Sequence, residues 1–311
     1  MKSYLYKLPL IVSFVLLLTS ACKKEYQSIE EINTQDIQSY LSKNNLTGFS
    51  DTLGIYYKVT KPGTGAAIDY TKETPVLYTV KTLDGSFAAL DTFAVYNRFA
   101  GRFGYLNLAG ISDRESLREV IKKALVKRGG EVRLLIPSRL AYGRNGYNFF
   151  EGYSKQSIPG NASLDVTVKV IDDLAKYEDE QIKKYIKDNN LGIFSRTQTG
   201  LYYKIIDQGT GSAITSESTI TTTYTGKFLN GTTFETVTSD NAASFSLEDP
   251  TLRSGWKEGV PLIKEGGTIR LIMPSTLAYG FSGAKDAYTG LTGIPQFSPL
   301  DFEIKVTKVS K

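Results

Sequence analysis

The 311-residue sequence contains no histidine, a single cysteine at Cys22 and a single tryptophan at Trp256. Each shortage removes a class of chemistry. Without histidine, Ser-His-Asp hydrolysis, Cys-His proteolysis and most catalytic zinc sites are excluded. An enzyme built on this chain has to work without the usual proton shuttle at neutral pH. One cysteine cannot close a disulfide within the chain. Net charge is also small. The 37 basic and 32 acidic side chains give +5, spread along the chain, which argues against a nucleic-acid partner. What is present is an ordinary globular composition, 41% hydrophobic and 22% charged, with 20 tyrosines and 15 phenylalanines. The length allows for about two domains of roughly 100–200 residues each. No cofactor is implied: Gly63-Thr64-Gly65 lacks the Lys-Ser/Thr of a phosphate loop and reads as a turn.

Residues 1–21 read as a signal peptide. Lys2 and Lys7 make a short basic region, Leu8 to Leu18 is an apolar run too short to span a bilayer, and Thr19-Ser20-Ala21 places small residues before Cys22. This segment resembles the lipobox of bacterial lipoproteins, although Thr19 stands where Leu is usual. The resemblance implies acylation of the Cys22 sulfur and a membrane partner reached through that lipid anchor. Lys23-Lys24-Glu25 resembles the start of gram-negative lipoproteins that reach the outer membrane. Loss of Lys2 and Lys7 leaves 35 basic against 32 acidic side chains, a balance of +3.

The rest of the chain is a repeat. Ile37 to Leu46 matches Ile182 to Leu191, Gly54 to Val59 matches Gly200 to Ile205, and Gly130 to Pro137 matches Gly267 to Pro274. So long a period means duplicated domains, not a solenoid. Each copy opens with a helix. In the first, Ile29, Ile32, Ile37, Tyr40 and Leu41 share one face. In the second, Tyr177, Ile182, Tyr185 and Ile186 do so after an acidic start at Glu178-Asp179-Glu180, which suits the helix dipole. These helices read as spacers or docking elements. Strands follow over Tyr56–Val59, Tyr202–Ile206, Ile220–Phe228, Thr268–Met273 and Leu300–Val309. One further helix interrupts each set. In copy one, Ser112 and Glu115 form a capping box before a stripe of Leu117, Val120, Ile121, Ala124 and Leu125, ended by Gly129-Gly130. In copy two the helix runs from Trp256 to about Lys264 and ends at Gly266-Gly267. The expected class is α+β.

In copy two the motifs Tyr224-Thr225-Gly226, Gly231 to Glu235, Gly255-Trp256, Leu277-Ala278-Tyr279-Gly280 and Ile294-Pro295 occur in order before a last strand with Phe302. In this order, and worn in copy one, they resemble the FKBP-type peptidyl-prolyl isomerase family. The resemblance implies two FKBP-like domains, each a curved antiparallel sheet wrapped around a short helix and preceded by an N-terminal helix. The implied layout is anchor and first helix 22–50, a degenerate domain 51–173, a linker helix 174–199 and a second domain 200–311. It further implies that Trp256 floors a proline pocket walled by Tyr224, Phe234 and Phe302. Tyr279 would offer its hydroxyl to the substrate carbonyl. The backbone of Leu252 would contact the peptide, and Ile294 would close the rim. The sequence departs from the family at Glu235 (usually Asp), at Arg253 (usually Ile), and at Pro261, which interrupts the helix.

Copy one keeps Tyr78, Phe87, Tyr142 and Ile158 as binding candidates. Glu119 or Val120 falls where the tryptophan should be, Ala88 follows Phe87, and Val166 replaces the second phenylalanine. Its fold signals survive without a pocket floor. Two roles follow from the resemblance, an envelope isomerase acting on proline-containing polypeptides or a scaffold of the same fold that binds such segments without turnover; the lipid anchor alone points to a third, an accessory part of a surface nutrient-uptake complex. The absence of histidine does not count against the first, because rotation about an X–Pro bond needs no acid–base step.

Overall fold

The computed structural model describes residues 27–69, 74–89, 114–151, 154–285 and 292–310. The signal segment, Cys22 and Ser112 of the expected capping box lie outside them.

The chain runs helix then antiparallel sheet, twice. Helix α1 (Ile29–Lys43) starts at Ser28, whose side chain accepts from the Glu31 amide while Glu31 accepts from the Ser28 amide. Next come β1 (Ser50–Thr52), β2 (Ile55–Lys61), β3 (Val76–Thr82), β4 (Ala88–Ala89), α2 (Arg114–Ala124) and β5 (Glu131–Ile136). A hairpin of β6 (Tyr147–Glu151) and β7 (Ser154–Ile158) precedes β8 (Leu164–Val170). The sheet order is β1-β2-β5-β8-β3-β4. The second copy has α3 (Leu174–Asp188), β9 (Ser195–Arg196), β10 (Tyr202–Asp207), β11 (Thr219–Phe228), β12 (Thr233–Val237), β13 (Ala243–Ser246), α4 (Ser254–Gly259) and β14 (Thr268–Met273). A hairpin of β15 (Ala284–Lys285) and β16 (Thr292–Ile294) leads to β17 (Leu300–Ser310). Its sheet order, β12-β11-β17-β14-β10-β9, repeats that of the first, with β13 added beside β12 on β11. Even the bulge recurs, between Val59 and Lys61 and again between Ile205 and Asp207.

Both inner helices are shorter than the sequence suggests. Helix α2 stops at Ala124, well before Gly129-Gly130. The chain between is drawn into pairing with the Gly65–Ile68 turn, since Gly65 N–H donates to Arg128 O and Ile68 N–H to Val126 O. Helix α4 stops at Gly259 instead of Lys264, and Pro261 sits in the 3-10 turn Val260–Leu262. The proline therefore ends the helix and removes no bond from its interior.

Strand β11 alternates strictly between half-buried and buried residues. One face holds the core of Ile220, Leu271, Ile304 and Val306 under α4. The other face is covered by α3, whose Ile182 and Tyr185 pack on Tyr202 and Ile272. The outer helices are thus docked on their own sheets, and a matched polar triad fixes each. In copy two, Arg270 donates from Nε and Nη2 to both oxygens of Asp301 at 2.9 and 2.6 Å, and Tyr185 Oη donates to Asp301 at 2.8 Å. In copy one, Arg133 and Tyr40 hold Asp165 in the same way, with Lys81 adding a contact at 3.3 Å. Burial, together with the Asp301 charge, pushes the Tyr185 phenol up to about 12.

Two expectations about these helices need correction. In α1, Ile29 and Ile32 are exposed, whereas Asn33 is buried beside Ile37. In α3, Asp173 caps the helix from before Leu174, so Glu178-Asp179-Glu180 occupies the second turn rather than the first. Glu178 is not a dipole-facing surface residue but is only 1% exposed. Burial pushes its carboxyl up to about 7, with only two hydrogen bonds from Ser275 opposing this. The unfolded chain releases this proton near its ordinary value of 4.5 and the folded chain near 7. The group's contribution to stability is therefore complete below the first value and is lost as pH rises through the second. Followed by the fluorescence of Trp256, the urea midpoint should fall by the equivalent of about 3 kcal/mol between about pH 5 and about pH 8, and Glu178→Gln should flatten most of that slope. A wild-type midpoint that is level over this range would show that the carboxyl titrates normally.

Candidate active site

The second sheet brings together five aromatic side chains from five elements. Trp256 enters from the first turn of α4, whose two glycines let the helix press against β14. A Cβ on Gly255 would lie 2.9 Å from Met273 Sδ, and one on Gly259 would lie 2.5 Å from Leu271 Cδ2. Around Trp256 stand Tyr224 of β11 at 5.0 Å, Phe245 of β13 at 5.2 Å and Phe302 of β17 at 5.5 Å between ring centroids, all close to edge-on. Phe234 of β12 meets Phe302 at 5.6 Å and 84°. Such edge-to-face contacts place positive ring edges on negative ring faces. The sequence-predicted floor and walls therefore converge as expected. Phe245 was missed, although the alternation in Ala243-Ser244-Phe245-Ser246-Leu247 marks it as a strand residue.

Gly226 explains how two rings can cover one strand. A Cβ there would lie 2.5 Å from Phe234 Cζ and 2.9 Å from Phe302 Cε1. Gly226→Ala should push both rings into the site, lowering affinity for a proline peptide about tenfold at a cost of roughly 1–3 kcal/mol in stability. Titration of Trp256 fluorescence with peptide checks this, and wild-type affinity in the variant would show that the rings are not part of the binding surface.

The polar groups sit at the edge of this ring cluster. Glu235 is exposed on β12, which pairs with the strand that carries Tyr224. Burial first, then that carboxylate through charge and hydrogen bonding, holds the Tyr224 phenol well above the usual tyrosine range. Tyr279 is half-buried on the turn after β14. Burial raises its phenol, the Arg253 charge lowers it and Glu235 raises it. Arg253, at the Ile position of the family, lies with its guanidinium 4.7 Å from the Tyr279 ring centroid and donates to Thr251 O. The departure at this position thus covers one face of the tyrosine with a cation. Leu252 is half-buried beside the cluster and Ile294, at the end of β16, is buried in it. Most of the segment between Phe281 and Gly293 beyond Lys285 lies outside the described residues.

In copy one the positions matching Trp256, Glu235 and Phe302 carry no aromatic ring. Glu119 is exposed and pairs with Lys122, while Val120 is buried in the core. Val166 is fully buried where Phe302 would be, and Ala88 is exposed. Tyr78 packs on the core and Phe87 and Ile158 lie within it. Tyr142 stacks face to face on Tyr147 at 5.0 Å and 11°. Among the described residues, Tyr78, Phe87 and Ile158 thus contribute to the packing of the first core.

Residues 211–307 match the family model described as FKBP-type peptidyl-prolyl cis-trans isomerase, a span that includes Tyr224, Phe234, Phe245, Trp256, Tyr279 and Phe302. The chain is similar to the probable FKBP-type peptidyl-prolyl cis-trans isomerase FkpA of Neisseria meningitidis, at 34% identity over 137 residues, 43% of this chain and 47% of that protein. It is also similar to FkpA of Escherichia coli K12, at 32% identity over 131 residues, 42% of this chain and 44% of that protein. The crystal structure of FkpA from Escherichia coli aligns over 44% of this chain and 61% of that one, at 30% identity and a TM-score of 0.36. The chain spans about half the length of the curated relatives it matches.

Proposed function

We propose that the protein, whose residues 211–307 match the FKBP-type peptidyl-prolyl cis-trans isomerase family model, catalyses cis-trans rotation about X–Pro bonds in polypeptides, and that it does so mainly with its second copy. The observation that carries this reading is the box of Tyr224, Phe245, Trp256 and Phe302 beside the Tyr279 hydroxyl. The uncatalysed barrier is about 18–20 kcal/mol and comes from amide resonance, which is lost when the bond twists. A proline ring seated on Trp256 leaves its amide in an apolar surround, which favours the twisted, less solvated form over the planar one. Tyr279 Oη can donate to the carbonyl oxygen and hold the residue before proline in place while the ring turns. Because these contacts improve as the bond twists, they accelerate rotation without a covalent or proton-transfer step.

In this reading residues 51–173 are a degenerate, non-catalytic copy, residues 174–199 the helix joining it to the active unit, and residues 200–311 the active unit. Cys22 is the lipidation site, and the mature protein works at the cell envelope on proline-containing clients. Arg253 and Glu235 favour a second reading, a scaffold that binds such segments without turnover, since Arg253 puts a cation where the family usually has Ile and Glu235 carries one methylene more than the usual Asp. A proline-isomerisation assay on the protein separates the two. The expected result is a rate well above the uncatalysed one; peptide binding with no acceleration would sink the enzyme reading and leave the scaffold.

A further inference from the structure

Glu178 lies on α3, 97 residues before the turn that carries Tyr279, yet it is bonded to the start of that turn. Ser275 N–H donates to Glu178 Oε2 at 2.9 Å and Ser275 Oγ donates to Oε1 at 2.5 Å. The carbonyl of the same serine accepts from Ala278 N–H at 2.9 Å and from Gly280 N–H at 2.8 Å, the residues on either side of Tyr279. A continuous set of bonds thus runs from the helix carboxyl, through one serine, to the peptide units flanking the tyrosine.

The first copy shows what this bond replaces. There Asn33 stands at the place of Glu178, and its Oδ1 accepts from Ser138 Oγ and Arg139 N–H. The Ser138 N–H is instead served by the hydroxyl of Ser163 at 3.1 Å. Pro299 occupies the Ser163 position in copy two and has no hydroxyl to offer. Glu178 uses one carboxyl oxygen for the hydroxyl and the other for the amide. The pair Asn33 with Ser163 has become Glu178 with Pro299, and the turn now depends on one side chain of the preceding helix. Among the described residues no cation pairs with this carboxyl; a buried, unpaired carboxyl is costly to keep, and burial accordingly raises its pKa.

We propose that Glu178 is a positioning residue for Tyr279: the helix preceding the active unit sets the placement of the catalytic hydroxyl through Ser275. This rests on the isomerase reading for its catalytic consequence but not for the bond network itself. In the full-length protein, Glu178→Ala should lower kcat/KM for a proline peptide about tenfold, chiefly in kcat. Glu178→Gln should restore most of it, because the amide oxygen can accept from Ser275 N–H and its NH2 can donate to Ser275 Oγ. In a Tyr279→Phe background the same alanine change should cost less than about twofold, since the group it positions is already gone. An equal loss in both backgrounds, or no loss in the wild-type background, overturns the proposal. Should the wild-type protein show no isomerisation, the isomerase reading fails while amide exchange still decides the clamp. Glu178→Ala should speed exchange at Ala278 and Gly280 at least about tenfold while β14 and β17 keep their protection; uniform acceleration, or none, counts against it.

Discussion

Trp256→Ala should bring isomerisation down to the uncatalysed rate. The tryptophan is 3% exposed and touches Tyr224, Phe245 and Phe302 together. Truncating a buried tryptophan costs about 3–5 kcal/mol, a large part of the roughly 5–15 kcal/mol that holds a typical domain together. Lost activity in the alanine variant alone would therefore be ambiguous. Trp256→Phe resolves this. It keeps an aromatic floor and most of the edge contacts, so the unit should stay folded while kcat/KM falls about tenfold because the smaller ring supports less of the proline. Circular dichroism at the assay temperature establishes folding for both. A folded Trp256→Ala protein with wild-type kcat/KM would place the site elsewhere.

The second large effect is on stability. Asp301 is 2% exposed and takes two bonds from Arg270 and one from Tyr185. Removing one partner of a buried pair strands the other charge, at about 3–5 kcal/mol. Asp301→Ala should accordingly lower the unfolding midpoint reported by Trp256 and loosen α3, whereas Tyr185→Phe, which removes only the helix's share, should cost about 1–2 kcal/mol. Asp165→Ala is the matched control. It breaks the same triad in the first copy, where Lys81 and Arg133 would both be left without their carboxylate. Since Trp256 is the only tryptophan, its signal should not move in that variant if the two copies unfold independently. A shift equal to that of Asp301→Ala would show that they unfold as one.

The comparison of copies explains what could be read in advance. The aromatic box was legible because each ring belongs to a short motif with local meaning: Tyr224 and Gly226 on one strand, Gly255 beside Trp256 on one turn, and Phe302 in an alternating strand. Order along the chain was enough to assemble them. Helix ends were less legible, because α2 and α4 are cut short by pairing and by proline and not by the glycines that follow. Phe245 escaped notice because it carries no motif, only a place on a strand that pairs with β11. Arg253 was visible as a departure, but its position over the Tyr279 ring was not.

The sequence by itself determined the absence of histidine chemistry, the duplication and the aromatic set in copy two, since these depend on residue type and order. Tertiary structure alone decided that the acidic run lies in the second turn of α3 and contains a buried carboxyl, that Asp301 and Asp165 anchor the outer helices, and that Ser275 links one such helix to Tyr279. The physical reason is range. Helix and strand periods are set by neighbours a few residues away, whereas burial of a charge is set by what packs on it, here a turn 97 residues further along the chain.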